Sequence, residues 1–110
     1  MFEYIMGELT VKKVDYIALD INGLAYKIFI SLKTYESLGE VGVDQKVYIH
    51  TNVKEDDISF YGFKLENERE LFKALVSISG VGPKLALAIL STYNTKDVID
   101  IVLDANVKLL

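Results

Sequence analysis

Ser79-Gly80-Val81-Gly82-Pro83-Lys84-Leu85-Ala86 lies where one apolar helical pattern ends and another begins, and its reading decides how the second half of the chain folds. Gly80 and Gly82 both permit positive φ, and both remove side chains that would hold a large partner away from the backbone. Pro83 suits the first position of the next helix, where a missing N–H costs nothing. That helix then aims its unpaired N–H groups, worth roughly half a positive charge, over the hairpin, which makes a natural seat for phosphate. Lys84 adds a full charge. Gly80, Val81, Gly82 and Lys84 therefore predict a helix-hairpin-helix that holds a nucleic-acid backbone without reading bases. A corner that only packs is the competing reading, since Gly-x-Gly-Pro is also good turn chemistry.

Two nucleotide-binding readings fail on residue identity. A dinucleotide fingerprint needs Gly or Ala where Leu85 stands and a strand before the first glycine. A P-loop needs Ser or Thr directly after the lysine and a wider spacing of glycines. Outward from the hairpin, Leu71, Phe72, Leu75 and Val76 share one helical face, and Leu87, Ile89 and Leu90 continue the apolar surface beyond it. A further helix is expected from Asn94 or Thr95, with Asn94 as N-cap, Asp97 in the first turn, and Val98, Ile101, Val102 and Ala105 facing inward.

Period two rules the first half. Tyr16 to Ile21 runs through Asn22-Gly23 into Leu24 to Ile30, and Asn-Gly favours the tight primed turn of a hairpin. Phe2 to Val11 reads as an earlier strand with Gly7 as a bulge or bend. Lys33 to Leu38 is a short helical or irregular link and 39–44 a loop. Lys46 to Val53 is a fourth strand and Ile58 to Phe63 a fifth. The expected fold class is α+β: a five-stranded OB-like β-barrel over 1–63, then a helix-hairpin-helix region over 64–110.

Lys54-Glu55-Asp56-Asp57 falls between two apolar strands, so its carboxylates should project together from one end of the barrel. A plain turn explains this as well, because Asp favours turns. General acid-base or metal chemistry would need further converging groups, and no catalytic residue, metal or cofactor is expected. The absence of cysteine excludes disulfides and thiolate metal sites. His50, the single histidine, reads as structural or surface.

Composition, with 51% apolar and 25% charged residues, supports a real but small core. No apolar stretch approaches the roughly 20 residues that cross a bilayer, and Met1-Phe2-Glu3-Tyr4 lacks a signal-peptide layout, so a soluble cytoplasmic protein is expected. The net charge of −4 opposes a simple basic nucleic-acid binder, but its distribution softens the objection. Ten acidic and six basic residues precede Lys64; six of each follow from there. One face for DNA and another that repels it would fit, as would an ordinary acidic surface.

These residues together resemble the RuvA family over essentially the whole sequence. The resemblance rests on Lys54-Glu55-Asp56, Tyr61-Gly62-Phe63, Glu68 to Phe72, and Gly80 to Leu90, in that order. It implies a subunit that binds four-way (Holliday) DNA junctions and works with a RuvB motor, which carries the ATP turnover; no enzymatic activity is expected of the chain itself. It further implies that Glu55 and Asp56 form an acidic pin at the junction centre, and that Gly80, Gly82 and Lys84 belong to a DNA-gripping hairpin. A homotetramer follows from the same resemblance. Lys54 stands where the family commonly has Arg, and Ala25 replaces a frequent Gly. The family continues into a second hairpin and a small RuvB-binding domain, so the sequence is expected to be a fragment of a longer protein. An OB-type single-strand binder using Tyr4, Tyr16, Tyr26, Tyr48 and Tyr61, or a protein-interaction scaffold, are the alternatives.

Overall fold

Alternating inward residues from five strands meet in one core in the computed structural model, which describes residues 2–109. The strands are β1 (Tyr4–Lys12), β2 (Tyr16–Ile21), β3 (Leu24–Ile30), β4 (Asp44–Lys54) and β5 (Asp57–Phe63), closed into a barrel in the order β1-β2-β3-β5-β4. The ladders are antiparallel except for β3 with β5. Closure leaves no full-length strand edge to aggregate. Helix α1 (Leu32–Ser37) links β3 to β4, and α2 (Glu66–Val76), α3 (Pro83–Thr92) and α4 (Thr95–Leu109) follow the barrel. The OB-like barrel followed by helices is the architecture expected.

Local chemistry explains the joints. Asn22 and Gly23 take positive φ, 54° and 90°, and Ile21 pairs with Leu24 across them, as a primed two-residue turn requires. Ser31 caps α1 by accepting the Thr34 N–H at 3.3 Å. Asn94 caps α4 in the same way, accepting the Asp97 N–H at 2.8 Å. The expected bulge at Gly7 is elsewhere: Gly7 pairs regularly with Gln45, and the register shifts between Leu9 and Val11. Gly7 lacks a side chain for a different reason, since a Cβ there would lie 2.7 Å from the Asp20 carbonyl oxygen. β4 is longer than the expected Lys46–Val53, taking in Asp44 from the predicted loop, Gln45, and Lys54 from the predicted turn.

The molecule has two cores that share β5. Ile5, Leu9, Ile17, Leu19, Ile28, Ile30, Leu38, Val47 and Ile49 fill the barrel. Tyr61, Phe63, Phe72, Leu75, Ala86, Leu90 and Val98 fill the space between barrel and helices. The Tyr61-Gly62-Phe63 triplet serves both. Its aromatics face the helices, while Gly62 lets the barrel wall close, because a Cβ there would sit 2.6 Å from Ile28 Cγ2. Phe72 stands at the centre of the second core, fully buried, with ring centroids 5.0 Å from Phe63 and 5.2 Å from Tyr61.

Candidate nucleic-acid interface

The glycine hairpin is built from a single turn. The Val81 N–H donates to the Ile78 carbonyl at 3.0 Å across Ser79 and Gly80, and Gly80 has φ +87°. Positive φ at the third residue is the demand of a type II turn, which glycine meets without strain. Gly82 does not share this role, contrary to expectation. Its φ is −88° with ψ 175°, an extended N-cap that any residue can adopt. What Gly82 contributes is space, since nothing lies within 4 Å of where its Cβ would stand.

Helix α3 starts bare. Gly82 has no side chain to cap it, Pro83 has no N–H, and the first intrahelical bond is Ala86 N–H to Gly82 carbonyl at 3.0 Å. The Lys84 and Leu85 amides therefore precede any intrahelical donor. The first turns of α2 and α4 carry Glu66, Glu68 and Asp97, whereas that of α3 carries no carboxylate. Its positive dipole end is thus left unneutralised. Lys84 is exposed beside it.

Orientation of this hairpin depends on residues that sequence reading passed over. Ser91 Oγ accepts the Leu32 N–H at 2.9 Å and donates to the Leu87 carbonyl at 2.8 Å, stitching α3 to the start of α1. Lys33 Nζ donates to the Tyr93 carbonyl at 2.7 Å. On α2, Arg69 is buried, donates to the Glu3 backbone carbonyl at 2.9 Å, and pairs with the Glu3 carboxylate at 2.8 Å. It also meets Glu66 at 3.4 Å and Glu70 at 3.3 Å and lies 5.6 Å over the Tyr48 ring. Arg69 was legible in part, as it sits one turn before Phe72 on the apolar stripe. Ser91 gave no signal, because its partner is 59 positions away.

The acidic turn is tighter than the four residues suggest. Lys54 pairs with Asp57 in the β4–β5 ladder, leaving Glu55-Asp56 alone as the turn, both exposed. Asp57 belongs to β5 and accepts a bond from Ser59 Oγ at 3.2 Å. Past Ile49 on β4, whose N–H still donates to the Glu3 carbonyl at 3.0 Å, and outward of Phe60 on β5, the two strands form a ladder only with each other, so the turn rides on a projecting ribbon. Among the described residues, no acidic or histidine side chains converge to hold a metal ion.

The tyrosines proposed for base stacking are largely engaged. Lys46 Nζ lies 4.2 Å over Tyr4 and 5.0 Å over Tyr48, Lys27 Nζ lies 4.6 Å over Tyr16, and Tyr61 is buried in the second core. His50 is half-buried, its ring 5.2 Å from Phe72. Burial lowers its pKa, with help from the Lys73 and Arg69 charges.

Comparison with known proteins agrees with this anatomy. The family model described as RuvA N terminal domain matches residues 1–62, and that described as SAM-like Helix-hairpin-helix tandem matches residues 72–110. Relatives named Holliday junction branch migration complex subunit RuvA include one from Fusobacterium nucleatum, 44% identical over 93% of this chain and 52% of the relative. Others come from Acetivibrio thermocellus, 46% identical over 86% of this chain and 46% of the relative, and from a Geobacter species, 42% identical over 96% and 53%. The chain spans about half the length of these relatives. With a closed OB-like barrel, an acidic β4–β5 turn and a helix-hairpin-helix in the matched order, the chain belongs to the RuvA family.

Proposed function

We propose that this chain binds four-way (Holliday) DNA junctions by shape and backbone charge, independently of base sequence. In this reading it is the non-catalytic, DNA-targeting subunit of a branch-migration complex, acting in the cytoplasm in recombination and repair. The motor is a RuvB-type partner, engaged through a domain outside this sequence, and the working assembly is a homotetramer. Residues 1–63 form the unit that presents the acidic hairpin, and 64–110 the unit that holds the backbone.

The observation that carries the reading is the bare, carboxylate-free start of α3 behind the Gly80–Gly82 hairpin, with Lys84 exposed at its side. Amides and lysine together suit a phosphate and contain nothing that would read a base edge. Glu55 and Asp56 supply the opposite sign. A carboxylate about 6 Å from a phosphate costs on the order of 0.7 kcal/mol at water-like dielectric, and more where water is excluded. Repeated around an assembly, that repulsion favours an open junction and disfavours continuous duplex across the centre. Names of the relatives, which specify Holliday junctions and branch migration, support the same conclusion.

The test is a titration of labelled four-way junction, linear duplex and single strand at about 50 mM salt, with mass measured in solution. Tightest binding to the junction, weakening steeply with salt, is expected. Equal affinity for junction and duplex would remove the structural specificity, and preference for single strand would favour the OB-type alternative.

A further inference from the structure

The acidic ribbon has a second face. Val53 and Ile58 are direct cross-strand partners next to the Glu55-Asp56 turn, and they are 64% and 60% exposed. Strand alternation places them on the same face as Thr51 and Phe60, which lie next along the ribbon towards the barrel. At that point Phe2, Tyr26 and Phe60 form a mutual edge-to-face trio, with centroids 5.5, 6.0 and 6.2 Å apart. Phe2 is 46% exposed. An apolar and aromatic shelf thus runs from the barrel out to the base of the carboxylates. The concavity at its outer end is lined by residues 53–58, and nothing else among the described residues lines it.

Resting on the junction-binding reading above, we propose that this shelf receives the face of a nucleobase at the branch point. The argument is one of charge. Glu55, Asp56 and Asp57 surround the outer end against a single Lys54, so a phosphate is repelled from it and a second copy of the same tip is repelled as well. The base face is the part of DNA that carries no charge and gains from contact with apolar and aromatic surface. At an unbranched duplex the base faces are already stacked and out of reach. At a branch point the terminal pair of each arm presents one. The carboxylates therefore turn the backbone aside while Val53, Ile58 and the aromatic trio hold the exposed base, which makes the ribbon a contributor to junction preference by attraction as well as repulsion.

Because the chain contains no tryptophan, Val53→Trp and Ile58→Trp each introduce a single probe, with Val41→Trp, exposed in the loop that precedes β4 at the end of that strand away from Val53, as the control. Junction is added to each at concentrations that saturate the unsubstituted chain. Quenching at positions 53 and 58 by junction, absent with linear duplex and absent at position 41, is expected. In parallel, Val53→Ser with Ile58→Ser, both at exposed positions, should keep the thermal midpoint. The pair should lower junction affinity about fivefold, the loss expected when two partly covering aliphatic side chains no longer shield the base, and leave duplex affinity unchanged. Unquenched probes together with unchanged junction affinity of the serine variant would overturn the shelf while leaving junction binding intact. Absence of any junction preference in the unsubstituted chain would overturn both readings.

Discussion

Gly80 and Gly82 are two residues apart and do different work, which substitutions can separate. Gly80 holds φ +87°, so Gly80→Ala forces a left-handed conformation on a residue with a Cβ and should destabilise the protein by about 1–2 kcal/mol. Gly82 is extended with open space around it, so Gly82→Ala loses only an N-cap preference, under about 1 kcal/mol. Its added methyl nonetheless stands where a DNA backbone would approach the α3 amides. The expected outcome is a large fall in melting temperature with Gly80→Ala, and weakened junction binding at near-normal stability with Gly82→Ala. Reversal of that pattern in melts and titrations would remove Gly82 from the contact surface. Lys84→Ala should leave the fold untouched, since the side chain is exposed. It should reduce the slope of log affinity against log salt by about 0.9 per bound subunit. An unchanged slope would mean that Lys84 touches no phosphate.

The β4–β5 hairpin acts as an element, because its turn is only Glu55-Asp56 while its ladder extends to Lys54 and Asp57. No positive φ is needed at the two acidic residues, so their identity is not dictated by backbone geometry. Glu55→Gln with Asp56→Asn should therefore preserve the hairpin. Neutralisation removes repulsion and leaves the α3 site unaltered, so junction affinity should stay the same or rise while duplex affinity rises further. The quantity to measure is the ratio of the two. Lost junction affinity at constant ratio would contradict a discriminating role for these carboxylates.

At the scale of the whole molecule, stability depends on the joint between barrel and helices. Phe72 fills it, packed against Tyr61 and Phe63 from β5, and Phe72→Ala should cost about 3–5 kcal/mol. Since both cores share β5, unfolding should follow one transition by far-UV circular dichroism and by tyrosine fluorescence; two separated transitions would contradict this coupling. His50 adds a pH dependence to the same joint. Burial, with the Lys73 and Arg69 charges, lowers its pKa below the ordinary 6.5. The unfolded chain therefore takes up the proton first as pH falls, and stability drops from 6.5 down towards the folded-state value. Melting temperature should decline as pH falls through and below 6.5, and His50→Phe should flatten that decline. An identical slope in the variant would exclude His50 as its source.

Much of this was local and so readable from the chain. Strand alternation, the Asn22-Gly23 turn, the Asn94 cap and the Gly80 turn are set by interactions within a few residues, and each appears where the sequence predicts. The Gly-x-Gly-Pro-Lys order likewise marked the α3 start, because capping and helix dipole are properties of the first turn. Other features required distant partners. Gly7 and Gly62 are small because Asp20 and Ile28 press on them from other strands, Ser91 finds its donor on α1, and Arg69 is buried only because Glu3 comes to meet it. Whether Asp57 belonged to the turn or the strand was settled by its ladder partner Lys54. Residue identity sets what a side chain can do, but packing across the barrel sets which neighbour it meets, and that depends on closure of the five strands.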